Sequence, residues 1–150
     1  MTAGVAPPSL GRLQELARTA GLRFMAVPVP SSTATTAEAA DETYELARSG
    51  APWQRALRVA FQLHDDLTAV PPFVLGALVA APVPSTDDAR FDALVAGLVE
   101  WHTEQHRLPV PPWVHEPDRT VTPPWPPDPY TDPADTVEPL ARHDVILART

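Results

Sequence analysis

The sequence contains no cysteine and no lysine. Without cysteine there are neither disulfide staples nor thiolate metal sites. Without lysine, all 11 basic residues are arginines. Together with the many alanines and prolines, this is the composition of a GC-rich, actinobacterial type of genome. Only 6 glycines are present and none cluster, so there is no glycine-rich phosphate loop. No serine sits in the strand–turn–helix context of a nucleophile elbow. No basic start and long apolar run follow Met1, so no signal peptide is predicted. The most apolar window, residues 70–83, is broken by prolines and is too short to span a bilayer. These absences predict a cytoplasmic protein.

Positive charge is scarce. The net charge is −8. Residues 1–70 carry 6 arginines against 7 acids, and residues 71–150 carry 5 against 12. Nucleic-acid affinity rests largely on Lys and Arg neutralising phosphates, so the acidic second half argues against a broad phosphate-binding surface. The apolar fraction of 44% suffices for a packed core, and 150 residues suit one domain.

The chain is organised around Asp87 to Val114. Asp87 and Asp88 stand where carboxylates favour the exposed amides of a helix start. Phe91, Leu94, Val95, Leu98, Trp101 and His102 then recur at spacings of three and four, one stripe of an amphipathic helix. Ala93, Ala96 and Gly97 would let a neighbour approach closely. Asp92, Glu100 and Glu104 fall off the stripe. Pro109 bars further helix and pushes Leu108 toward extended geometry. The expected sequel is Pro111-Pro112-Trp113 folded back over the apolar face.

Upstream, Ser9 is a good N-cap for a short helix with Leu10, Leu13 and Leu16 on one face, and Gly21 ends it. Leu22 to Val27 reads as a strand. Residues 31–35 are small and polar, a linker. Helices are predicted from Thr36 to Arg48, from Pro52 to Leu67 and from Phe73 to Ala81. The core is expected to draw on Leu13, Leu16, Leu57, Phe61, Leu67, Phe73, Leu94, Leu98 and Trp101. Between Pro109 and Pro139 there are 11 prolines in 31 residues, which excludes regular helix or sheet through most of that run. Such composition commonly gives a flexible tail. Trp113, Trp125 and Tyr130 argue instead for an extended segment tacked across the helices. His143 to Ala148 could be a last strand, paired with residues 22–27. The fold class is therefore mainly α: about five helices, one or two short strands and a long proline-rich extended segment. The expected divisions are a helix-plus-strand unit at 1–30, the linker at 31–35, a helical core at 36–115 and the proline-rich segment at 116–150.

The stretch PSLGRLQELARTAGLRFMAVPV resembles the end of a lambda-repressor-like helix-turn-helix domain of the XRE family. Its last helix has the pattern Pro-Ser-Leu-x-x-Leu…Ala-Gly and leads into an extended segment. The later DAL-AGL-E-H helix and LPVPPWV are similar to C-terminal regions of actinobacterial XRE-type regulators, some of them antitoxin-like. The resemblance to the helix-turn-helix covers about 20 residues. It implies a regulatory or antitoxin-like module that is not an enzyme and needs no cofactor. Its partner would be a protein, such as a cognate toxin, or a second copy of itself. In that family the DNA-reading helix lies upstream of the matching stretch, so DNA binding is not expected from this chain alone. Antitoxin-type proteins often cover their targets with an extended aromatic segment. Trp113, Trp125 and Tyr130 are the corresponding partner-binding candidates, stiffened by flanking prolines. Trp125 sealing the chain's own core is the competing reading.

Two histidine patterns set the catalytic alternative. His102 and His106, four apart, can face one metal from one helix, but Glu104 between them is not placed as in HExxH. His64-Asp65 is similar to the His-Asp doublet of HD-type phosphohydrolases, which would need further ligands such as His102 and Asp144. The plainer reading is a core or boundary His64, a boundary His102 and solvated acids, with no catalytic and no metal residue.

Overall fold

The computed structural model describes residues 9–148. Pro7 and Pro8, at the start of the first predicted unit, and Arg149 and Thr150, at the end of the last, lie outside the described residues. Among the described residues the α-helices are α1 (Leu10–Thr19), α2 (Thr36–Arg48), α3 (Trp53–Ala69), α4 (Pro72–Val79), α5 (Ala89–Gln105) and α6 (Glu138–Arg142). Single 3-10 turns lie at Pro112–His115 and Pro133–Asp135. The protein is mainly α, as its periodicity predicts.

Local signals explain most boundaries. The Ser9 hydroxyl accepts from the Arg12 amide and caps α1. Gly21 closes that helix in the left-handed region, at φ +71°. Thr35 and Glu38 form a reciprocal capping box at α2, and those bonds hold the Glu38 carboxyl below its usual pKa. Pro52 and Pro71 precede α3 and α4. Asp88 caps α5 through the Arg90 amide and pairs with the Arg90 guanidinium at 2.6 Å.

Helix α5 is the axis of the fold. Every residue from Phe91 to Thr103 is buried. Helices α2, α3, α4 and α6 and the turn at Trp113 all pack on it. One side belongs to a cluster of Ala39, Leu63, Leu67, Leu75, Val95 and Val99. The other belongs to Ala60, Leu94, Leu98, Leu140, Val145 and Leu147. Each fully buried leucine contributes roughly 1.5–3 kcal/mol of apolar transfer. The proline-rich segment completes the second side. The Trp125 amide donates to the Asp144 carbonyl (2.8 Å), the Ile146 amide to the Trp125 carbonyl (2.9 Å) and the Val137 amide to the Leu147 carbonyl (3.1 Å).

Those bonds overturn the predicted strands. Residues 143–148 make isolated bridges to Trp125 and Thr136 and none to 22–27. Deprived of that ladder, Leu22–Val27 forms no strand. The core list needs correcting too. Leu16 is 50% exposed, and no residue of α1 is buried. Leu13 is only partly buried. Phe73 is 69% exposed, on the uncovered side of α4. On α3 the inward face is Ala56, Ala60, Leu63 and Leu67, while Phe61 sits at the edge.

Gly97 marks a close approach between α5 and α6. A Cβ there would stand 2.7 Å from Leu140 Cδ2 and 3.2 Å from Leu140 Cα, so α6 rests directly on the α5 backbone. Gly97→Ala should therefore destabilise the protein by about 1–3 kcal/mol in urea melts, through overpacking. Gly76→Ala meets only Leu108 Cδ1, at 4.0 Å, and should be neutral or stabilising through better helix propensity.

Candidate functional site

The three aromatic candidates occupy different environments. Trp113 is buried; its indole N–H donates to the Val79 carbonyl at 3.0 Å, and the Arg119 guanidinium lies 5.5 Å from its ring centre. It pegs the segment after α5 onto α4. Trp125 is half-buried at a seam, edge-on to Phe91 (5.6 Å) and Trp53 (6.2 Å), with the Arg90 guanidinium 5.7 Å from its ring centre. Tyr130 stands in solvent, 93% exposed, in a turn where its amide donates to Asp128 Oδ1. The structure thus does not bring the three rings together.

Of the proposed HD-type set, only His64 and His102 meet. His102 Nε2 lies 3.0 Å from His64 Nδ1, and the His64 ring stacks on Trp101 at 5.0 Å with an interplanar angle of 19°. One nitrogen of the short contact donates and the other accepts, so the rings share a single proton there. Burial first, then the neighbouring His64 and His106, push His102 down to about 4. Burial also lowers His64, opposed by Asp65. Asp65 and His106 are exposed, while Asp144 lies beside Trp125 in the C-terminal run. Among the described residues no group of three or more His, Cys, Asp or Glu side chains is arranged to hold a metal.

Sequence reasoning missed a buried polar system. Glu100 and Asp92, expected off the apolar stripe, are both buried. Glu100 Oε2 meets His143 Nε2 at 2.8 Å, and its other oxygen meets Arg142 Nε at 3.2 Å. His143 Nδ1 faces the Arg119 carbonyl at 2.6 Å. Asp92 accepts from the Thr86 amide and the Ser85 hydroxyl, and it lies 3.8 Å from Arg119 Nη1. Arg119 Nη2 donates to the Val83 carbonyl at 2.6 Å. The signal for this system was present: residues 93–99 are seven consecutive apolar or small residues. No single-faced helix carries such a run, so α5 had to be covered all round.

The N-terminal part is the opposite case. No residue of α1 is buried, and Leu10, Leu16, Leu22, Phe24 and Met25 are all exposed. Val27 is the point where this arm touches the first core cluster. Arg12, Arg18 and Arg23 fringe the apolar side chains, with Arg12 paired to Glu15 at 3.1 Å.

Comparison with family models, with curated proteins and with solved structures finds no match to this chain. Among the described residues no helix is long and apolar enough to cross a membrane.

Two expectations follow. Trp125→Ala should cost about 1–3 kcal/mol in chemical denaturation, below the full value for a core tryptophan because the ring is only half-buried. Tyr130→Ala should stay within about 0.5 kcal/mol of the parent. The second expectation concerns pH. His102 resists protonation in the fold, while the unfolded chain takes the proton near 6.5; the fold should lose stability as pH falls from 6.5 toward about 4. The loss should reach roughly 2–3 kcal/mol, with His64 acting in the same direction. His102→Leu should flatten this part of the stability–pH curve, measured by urea melts at stepped pH.

Proposed function

We propose that this chain is a non-catalytic, antitoxin-like regulatory module of the cytoplasm that works by binding a protein partner. The observation that carries this reading is the uncovered apolar face of α1 together with residues 22–25. An isolated ten-residue helix is marginal in water, so a short amphipathic helix gains most of its stability from the surface that covers it. Leu22 and Met25, in the segment that follows, are 67% and 73% exposed. Contiguous apolar surface with a polar rim is characteristic of protein-binding sites. The arginine fringe suits a partner groove edged with acids. In a resemblance to XRE-type regulators this is the region where the helix-turn-helix would end, and the cognate toxin is the protein partner that reading suggests. Trp125 and Tyr130 form a second candidate contact on another part of the surface, whereas Trp113 serves the core. The net charge of −8 supports the view that this chain does not engage DNA by itself.

Co-expression of the full chain with a toxin-like neighbouring reading frame tests the proposal. The two products should co-purify in fixed ratio. Leu16→Asp combined with Met25→Asp should abolish the complex while leaving the urea midpoint within about 0.5 kcal/mol of the parent, as expected for exposed sites. A complex that survives the double substitution would remove the arm from the binding surface. A chain that dimerises without any partner, and does so through the same residues, would replace the toxin with a second copy.

A further inference from the structure

Along the seam between α2 and α3 opens a groove of about 300 Å³, lined by Glu42 and Leu46 from α2 and by Arg55, Arg58, Val59 and Leu63 from α3. We propose that this groove binds a free aliphatic α-amino acid as its zwitterion. The carboxylate would lie at Arg55 and Arg58, the ammonium at Glu42 and the side chain over Leu46, Val59 and Leu63. The proposal is independent of the protein-partner reading, because the N-terminal arm contributes no residue to this groove.

Three observations carry it. The first is the placing of charge. Arg55, Arg58, Val59, Gln62, Leu63 and Asp66 follow at helical spacings and form one stripe of α3. Ala39, Glu42 and Leu46 form the facing stripe of α2. The chain enters α2 beside the end of α3, where the Ala34 amide donates to Asp66 Oδ2 at 3.1 Å. The two helices therefore run antiparallel. That sets Glu42 level with the turn carrying Arg58 and Val59, and leaves Asp66 about two turns further along.

The second observation is that the groove's charges are unmatched. Among the described residues Arg55, Arg58 and Glu42 make no hydrogen bond and no ion pair. Asp66, by contrast, is tied to the Ala34 amide and to Gln62 Nε2 at 3.0 Å. Arg55 and Arg58 are like charges three positions apart on one helix, which is unfavourable until an anion lies between them. Guanidinium groups suit a carboxylate, which they can grip through paired N–H donors. An anion alone would leave Glu42 unmatched, and a cation alone would leave the arginines so. The two arginines balance Glu42 and Asp66, so a ligand without net charge fits the lining. An α-amino acid supplies both charges within one small molecule. The third observation is the floor. Leu63 is buried, and Leu46 and Val59 are half-buried. An aliphatic side chain laid over them withdraws apolar surface from water. An apolar floor with a few charged groups that orient the ligand is the usual form of a small-molecule site.

The test is an NMR titration of the full chain with L-leucine, leucinamide, 4-methylpentanoate and glycine. Leucine should saturate in the millimolar range, because its charge contacts lie at the surface, and should shift the amides of residues 42–46 and 55–63. Leucinamide lacks the carboxylate and 4-methylpentanoate lacks the ammonium; each should bind about 3–5-fold more weakly. Glycine lacks the side chain and should bind about tenfold more weakly. In Glu42→Gln, leucine should lose its advantage over 4-methylpentanoate. Arg55→Gln combined with Arg58→Gln should abolish leucine binding. All three side chains are exposed, so both variants should keep the parent's urea midpoint. Intermolecular NOEs from leucine methyls to the Val59 and Leu63 methyls locate the ligand on the unsubstituted chain, without any variant. Absence of saturation, or shifts and NOEs confined to other residues, would overturn the proposal. So would leucine binding that survives the double arginine substitution, or a preference left unchanged in Glu42→Gln. Any of the three analogues binding as tightly as leucine would also overturn it.

Discussion

The constraint on which the structure depends is the complete burial of α5. A helix that presents charged residues on any side normally leaves that side to water. Here Asp92 and Glu100 are interior, and each demands a partner because an unpaired buried charge is prohibitive. The partners come from far along the chain. Arg119 reaches Asp92, and Arg142 and His143 reach Glu100. The proline-rich region between the 3-10 turn and α6 therefore cannot be a loose tail. It must deliver those groups to fixed points on α5.

That arrangement explains how an irregular segment acquires a single position. Prolines remove backbone donors and forbid a ladder along most of this run. Apolar contacts alone would leave its register weakly defined. The ion pairs supply the register: Glu100 accepts only where His143 and Arg142 arrive together, and Arg119 satisfies both the Val83 carbonyl and, through its own carbonyl, the His143 ring. Buried pairs of this kind add little net stability over a well-packed apolar substitute. Their contribution here is to fix where residues 119 and 142–143 sit. Gly97 serves the same end, since α6 can reach Glu100 only if the backbone of α5 is bare at that level.

The legibility of the sequence follows the same physics. Helices α2 to α5 were visible because local signals bound them: the small polar linker at 31–35, Pro52, Pro71-Pro72 and Asp88 act locally and need no tertiary context. Trp113 folding back was visible from Pro111-Pro112. The pairing of residues 143–148 was not, because strand pairing depends on which backbone arrives first, and Trp125 lies nearer than residues 22–27. Periodicity gave α5 one apolar stripe, and the run from Ala93 to Val99 was the clue that the stripe was too narrow. On α3 the large Phe61 looked like core but sits at the edge, while the small Ala56 is buried. Of the candidate residues, the His64–His102 contact could not be inferred from spacing, since the two lie 38 positions apart on different helices.

The two ends of the chain are handled in opposite ways, and that contrast bears on function. The C-terminal run is short of regular structure yet tied at Arg119, Trp125, Arg142 and His143. The N-terminal arm has good local structure, a capped helix with a glycine stop, yet no residue of that helix is buried, and Val27 packs against the first core cluster. Local propensity therefore does not decide which end is held; buried charge does. Arg12, Arg18 and Arg23 have no buried acid to meet, because Asp92 and Glu100 are already matched by Arg119, Arg142 and His143. The acidic side chains left over are at the surface. The arm carries exposed apolar side chains and the arginines Arg12, Arg18 and Arg23, of which Arg12 already pairs with Glu15. On the proposed reading, interaction falls to this least embedded segment, with the buried helix α5 as the core behind it.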